Sequence, residues 1–442
     1  MGELREPPAR RVIANVLWGF LHHGLGRACL FVFFLALPTL MTIEDVGRFT
    51  IAYTVLLLLV QPVAEASLGL IVAKYTARGD LAMVRVAFAG AGRVLPVALG
   101  VLWVASLLAP VSPVLTAVLV AYLGLILYQA LVFAYLRGRQ RMRMEGVVGS
   151  LEKVASLAAL LGLWRAGITG PLLPALALLA MACTGWILTL LLFRGEIREL
   201  RGAMRASAGG AAPRWLELVR EGLALGAVGL VGFLYFRLDV LMLGAMVGTA
   251  EVGYYFTASR CVEATYIVPT VLMLVLMPRL ARERDVRPLL VRTAWVMGGL
   301  GIVALAATVT AIGWVVPLVY GPGFGRIAVL VRALAPAIVA VYLGFLFTQA
   351  LVVLDLQRRY LAIAVAGLVV NVACNVVLIP LLEGVGAAIA TVVTEGLVTI
   401  AAGWSALRAC ASGSTLADRS SGRGRGGPAH HGAGAETAGL DP

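Results

Sequence analysis

The residues best able to do chemistry are charges placed where charges are expensive. The stretch "LYFRLDVLMLG" (234–244) sets Arg237 and Asp239 in an apolar run reaching from Gly222 to Val247. An ionisable group at membrane depth costs on the order of 3 kcal/mol even on a lenient insertion scale, so it must be paired, neutralised or in use. Two positions apart on a helix, these side chains point about 200° apart and make no local pair. Each therefore needs a partner on another helix or in water. Arg260, in the next apolar run, is about as far from the intervening loop as Arg237, which puts both roughly 15 Å inside one face. Glu263 lies one turn beyond Arg260 and is its natural ion-pair partner. A structural intrahelical pair and a ligand site are both open readings of Arg260 and Glu263.

Other polar groups fall at similar depth. Arg27 follows His22 and His23; Glu65, Arg93, Glu152, Lys153, Arg332, Asn371, Asn375 and Glu395 lie in later runs. Cations predominate, and a wet, positively biased cavity would suit an anionic passenger such as a phosphate or diphosphate. A proton or sodium transporter would centre instead on isolated carboxylates. The blander expectations are that Arg93 and Lys153 snorkel to the membrane edge, that His22 and His23 are bundle residues, and that Asn371 and Asn375 bond helices together. Arg27 and Arg237 are expected to face a cavity. Enzyme signatures are missing from the sequence: it holds no Walker A, HExxH or GxSxG pattern. The five cysteines show no CxxC spacing, so neither a metal site nor a disulfide frame is expected.

The elements that must position these groups are membrane-spanning helices. Mean hydropathy is +0.94 and only 13% of residues are charged, about half the fraction of an ordinary soluble chain. Runs of bilayer-crossing length predict an all-α polytopic membrane protein with about twelve spans, near 14–41, 49–72, 86–109, 114–136, 147–166, 171–193, 218–246, 251–277, 291–319, 328–353, 360–381 and 384–407. Roughly two dozen Lys and Arg fall in the connections on one side, against Arg48, Arg165 and Arg326 on the other. This bias predicts that both termini are cytoplasmic. It also accounts for the net charge of +13 without any nucleic-acid partner.

The connection after the sixth span is long, basic and rich in small residues, with room for an interfacial helical piece anchored by Trp215. It predicts a six-helix lobe at 1–193, a cytoplasmic linker at 194–217, a second six-helix lobe at 218–408 and a disordered tail at 409–442. The halves share a pattern: "IEDVGRFTIAY" (43–53) and "TAEVGYYFTAS" (249–259) each carry acidic-Val-Gly-x-aromatic, about 206 residues apart. "GRQRMRM" (138–144) and "DLQRRYL" (355–361) each join a fourth to a fifth span of their half. Repeats with an even number of crossings share one orientation, with an axis along the membrane normal and a cavity between them. In the tail, "GRGRGG" lacks the strand and helix of a nucleotide loop, and His430 and His431 are weak candidates for adventitious metal.

Taken together, "RLDVLMLGAMVGTAEVGYYFTASRCVEATYIVPTVLMLVLMPRLAR" (237–282), "TIEDVGRFTIAY" with "SLGLIVAKYTARGD", and "LDLQRRYLAIAVAGLVVNVACNVVLIPLLEGVGAAIATVVTE" (355–395) resemble the polysaccharide (oligosaccharide) flippases, Wzx-like members of the multidrug/oligosaccharidyl-lipid/polysaccharide exporter superfamily. The resemblance runs from about 12 to 408. It implies a two-lobed, MATE-like transporter of the bacterial cytoplasmic membrane, monomeric, moving a polyprenyl-diphosphate-linked oligosaccharide outward for O-antigen, capsule or exopolysaccharide synthesis. Arg27 and Arg260 occupy the first and eighth spans, where related flippases place diphosphate-binding arginines. With Arg237 they form the expected substrate set, supported by Asp239, Glu263, Glu65, Arg332, Glu395, Asn371 and Asn375. No cofactor is implied beyond coupling to a proton or sodium gradient or to the membrane potential. A polysaccharide polymerase and glycosyltransferases are the implied neighbours. Cation-coupled drug or metabolite export is the first alternative. A glycan polymerase or ligase is the second, disfavoured by short external loops.

Overall fold

In hydrocarbon a chain must satisfy its backbone internally, and apolar runs of this length do so as helices. The computed structural model describes residues 9–63, 68–106, 112–139, 142–206, 215–283 and 285–411, and no strand occurs among them. In chain order the helices are α1 (Ala9–Leu40), α2 (Ile43–Val63), α3 (Leu70–Ala77), α4 (Leu81–Ser106), α5 (Pro113–Gly138), α6 (Met142–Arg165), α7 (Leu172–Leu192) and α8 (Arg194–Ala206). The second half contributes α9 (Trp215–Met246), α10 (Thr249–Glu263), α11 (Ile267–Arg282), α12 (Val286–Tyr320), α13 (Gly325–Leu334), α14 (Ala337–Val353), α15 (Gln357–Leu382) and α16 (Gly384–Ala411).

The expected spans fall on helices wherever their residues are described, which does not by itself confirm the count of twelve. Among the described residues eight helices are long and apolar enough to cross a membrane, or nine when Pro322–Leu334 and Ala337–Val353, bent by 46°, form one span. The eighth expected span is divided between α10 and α11 by a 3₁₀ turn, Ala264–Tyr266, directly after the charged Arg260 and Glu263. The linker expected from Arg194 is helical at its start, as α8. Glu65, the tail beyond Ala411 with His430 and His431, and the side chains of His22 and His23 lie outside the described residues.

Large apolar side chains also cover the outer surface. Val97, Ile302, Val303, Val369 and Ile400 are each more than half exposed. On α12, Trp295 and Trp314 are 80% and 83% exposed, nineteen positions and hence about 28 Å apart, close to the hydrocarbon thickness. Indoles at both edges of an apolar belt are the mark of a membrane-facing helix.

Inside, one apolar cluster joins α1 to α7, with Phe33, Leu37, Leu119, Leu131 and Leu178 at its centre; two others join α9 to α16 around Tyr255, Ile327 and Ile338, and around Leu280, Leu290 and Leu346. The halves meet mainly where α2 packs on α9 and α10. The repeated Val-Gly motifs cross at one end of this seam. A Cβ on Gly47 would overlap the carbonyl of Thr249, and a Cβ on Gly253 would overlap the carbonyl of Ile43. Both the glycines and the carbonyls they face are related by the same repeat offset, so a pseudo-twofold axis passes between them. Only glycine permits backbones this close. At the opposite, arginine-rich end, Lys74 Nζ of α3 pairs with Glu221 of α9 at 2.5 Å, and the Tyr75 hydroxyl donates to Glu217 and Glu221 at 3.0 Å each.

The first half also encloses a charged node. Glu152 is buried and accepts from Gln129 Nε2 at 2.9 Å and from Lys153 Nζ at 3.0 Å. Lys153 reaches back to the Gly149 carbonyl at 2.9 Å, so its ammonium ends on the node and not at the membrane edge. Gly185 of α7 leaves just the room this carboxylate needs, since a Cβ there would run into Glu152 and Gln129. Gly185→Ala should displace a buried hydrogen bond and destabilise the protein by about 2 kcal/mol. The check is the thermal midpoint in detergent, which should fall, while Gly162→Ala, in open space on α6, leaves it unchanged.

Candidate functional site

The two charges that open α9's problem are solved by α10. Arg237 Nη1 lies 3.7 Å from Glu263 Oε1, and Arg260 Nη1 lies 2.7 Å from Glu263 Oε2. One carboxylate thus holds two guanidiniums from adjacent helices. Asp239 faces elsewhere: it accepts from the Tyr255 hydroxyl at 2.6 Å and from its neighbour's amide, Val240 N, at 2.8 Å. Tyr255 in turn lies 3.3 Å from the Thr391 hydroxyl of α16.

These groups line a pocket of about 70 Å³ enclosed by α9, α10, α13, α14, α15 and α16. Arg237, Asp239, Glu263, Asn371, Thr391 and Glu395 supply its polar wall. Glu395 accepts from the Tyr235 hydroxyl at 2.9 Å. Asn371 donates to Thr394 Oγ1 at 3.4 Å and accepts from Asn375 Nδ2 at 2.8 Å, so the two asparagines do tie α15 to α16 while Asn371 also faces the pocket. The volume has room for a few waters and is far too small for a glycan. This pocket lies within the second half, where α15 and α16 close over α9.

Arg260 reaches from this network to the seam. Its guanidinium carbon is 4.8 Å from the Phe256 ring centre and 5.5 Å from that of Phe34 on α1. The side chain is only 14% exposed, and its Nε finds no hydrogen-bond acceptor. Two phenyl faces stabilise the cation without neutralising it. Arg27 is exposed and makes no ion pair with a described residue. It lies seven positions before Phe34, on the same face of α1 and about 10 Å closer to the arginine-rich end. Arg27 is therefore not brought to Arg237 and Arg260 but stands two turns away along the seam. Arg332, exposed on α13, lies against Gly313 of α12, apart from this pocket.

Tyr235, Tyr255, Thr391 and Tyr266 were not anticipated. Their signal is positional: Tyr235 precedes Asp239 by one turn, and Tyr255, Ser259, Glu263 and Tyr266 form one stripe along α10 and the turn after it, all lining the pocket. Chemically, two guanidiniums sharing one carboxylate leave a net positive charge ready for a further anion. The hydroxyl-bonded carboxylates Asp239 and Glu395 are suited to exchange a proton or small cation.

Residues 12–284 match the model of a family described as polysaccharide biosynthesis protein. The chain belongs to that family. A curated relative, the probable flippase AglR of Haloferax volcanii, is 34% identical over 177 residues, which is 38% of this chain and 37% of AglR; the match thus spans little more than a third of that relative. The fold of this family member is shared with a lipid II flippase, MurJ, in an inward closed conformation (TM-score 0.69, 10% identity, 91% of this chain and 90% of that one). It is shared as well with an inward-facing multidrug resistance MATE transporter of the MOP superfamily (TM-score 0.66, 13% identity, 88% and 95%). The helices, the family and these likenesses agree on a multi-pass membrane protein with the fold of those two transporters.

Proposed function

We propose that this protein is a flippase that moves a polyprenyl-diphosphate-linked oligosaccharide from the cytoplasmic to the outer leaflet of a bacterial cytoplasmic membrane, by alternating access of its two halves. The observation that carries the reading is the pair Arg237 and Arg260 on the single carboxylate of Glu263, with the Arg260 cation at the seam and its Nε unbonded. A diphosphate would complete that charge and displace Glu263 from one guanidinium. Arg27, two turns toward the arginine-rich end, would meet the headgroup first. The lipid tail would stay in the bilayer, and the glycan would occupy space opened between α2 and α10 as the halves part. Coupling to a proton or sodium gradient is assigned to Asp239 and Glu395, whose pocket suits water or a small ion and adjoins the arginine pair. The family supports an output in O-antigen, capsule or exopolysaccharide synthesis beside a polymerase and glycosyltransferases.

The test is flipping of a fluorescent polyprenyl-diphosphate sugar in proteoliposomes. Arg27→Ala and Arg237→Ala should each slow it at least ten-fold at normal expression. Full rates in both variants would remove the arginines from the mechanism. Export of a soluble organic cation, with no flipping of the lipid-linked sugar by the unmodified protein, would replace the reading with drug export.

A further inference from the structure

Helix α8 is not needed to carry the arginine pair, the pocket or the seam, yet its residues are sorted with unusual regularity. Phe193, Ile197 and Leu200 recur at helical spacing and turn into the first half's core, with Leu200 only 4% exposed. One position on, Arg194, Arg198 and Arg201 recur at the same spacing and are all exposed. The arginine stripe therefore runs beside the buried stripe, about 100° round the helix, and not opposite to it. None of the three pairs with another described residue. Both acids of the helix are already engaged, Glu199 by Arg139 and Glu196 by an interaction of its own.

The position of the stripe matters as much as its charge. Leu190, Leu191 and Leu192, the last residues of α7, are each more than 40% exposed and end the apolar outer belt. Arg194 follows two residues later, at the arginine-rich end of the bundle, and α8 lies across the ends of α4 and α7. A row of guanidiniums at the level where the hydrocarbon surface stops faces lipid phosphates. We propose that α8 is a docking surface for anionic phospholipid headgroups, with Arg194, Arg198 and Arg201 each engaging phosphate and the Phe193–Leu200 stripe fixing the helix to the bundle. The proposal stands whether or not the transported molecule is a lipid-linked glycan, because it concerns the surrounding bilayer.

The test uses the full-length protein in nanodiscs of phosphatidylcholine alone or with increasing phosphatidylglycerol, read by hydrogen–deuterium exchange of the α8 amides. Phosphatidylglycerol should slow exchange across α8, and added salt should reverse the effect. Each arginine near an anionic surface contributes about five-fold in lipid affinity, so R194Q/R198Q/R201Q should lose on the order of a hundred-fold and show no lipid-dependent slowing. The corresponding triple lysine variant should keep most of it. Exchange indifferent to phosphatidylglycerol, slowing retained in the glutamine variant, or equal slowing by free pyrophosphate in phosphatidylcholine discs would each overturn the proposal. Exchange in α15, in the second half and remote from the stripe, reports that the variants remain folded.

Discussion

Gly253→Ala should trap the end of the bundle opposite its basic side ajar and remove most transport. The added Cβ meets the Ile43 carbonyl, a backbone atom with no side-chain freedom to yield, so α2 and α10 must separate. Over-packing of this kind costs about 1–3 kcal/mol, which shifts a two-state equilibrium by roughly five- to 150-fold toward whichever state parts the helices. Gly47→Ala meets the Thr249 carbonyl by the same symmetry and should act alike. Spin labels at positions 48 and 247 should report the change as a longer distance in either variant, with flipping reduced in proportion. Unchanged distances with lost flipping would show that the glycines serve the fold and not the closing of this end. Gly162→Ala again serves as the inert control.

The second large effect concerns the shared carboxylate. Arg260→Ala should cut flipping by a hundred-fold or more, because it removes a cation that joins the pocket network to the seam. Glu263→Gln should act differently. It takes from Arg237 and Arg260 the carboxylate they share, so an incoming anion takes over that ion-pair position. Removing the carboxylate of this half-buried pair costs about 1–3 kcal/mol, part of which a bound diphosphate would restore. The expected signature is a lower KM together with a lower kcat, since release then exposes two unpaired guanidiniums. The measurement is flipping rate against substrate concentration for both variants. Equal changes in KM would mean that Glu263 merely shapes the helix.

The spans, the two-half organisation and the family are all properties of short stretches, and short stretches are what a sequence displays. Hydropathy reports burial in lipid wherever the helix ends up. The motif at Gly47 and Gly253 is visible as a repeat, although nothing local says that the two copies touch. Arg260 and Glu263, three positions apart, announce their pairing through helical geometry alone. Arg237 and Asp239 announce only that partners must exist.

Which partners they take was decided by tertiary packing. Asp239 meets Tyr255 across the α9–α10 interface, and Glu395 meets Tyr235 from the far end of the chain. These are contacts between helix faces, and a twelve-span pattern does not specify which faces meet. Packing also placed the pocket within the second half and set Arg27 apart from the other two arginines, because α1 lies along the seam while α15 and α16 close over α9. Sequence alone fixes that charge must enter the membrane and roughly how deep. Only the assembled bundle determines which carboxylate answers it and which cation is left facing the seam, since that depends on desolvation and neighbours contributed by helices distant in the chain.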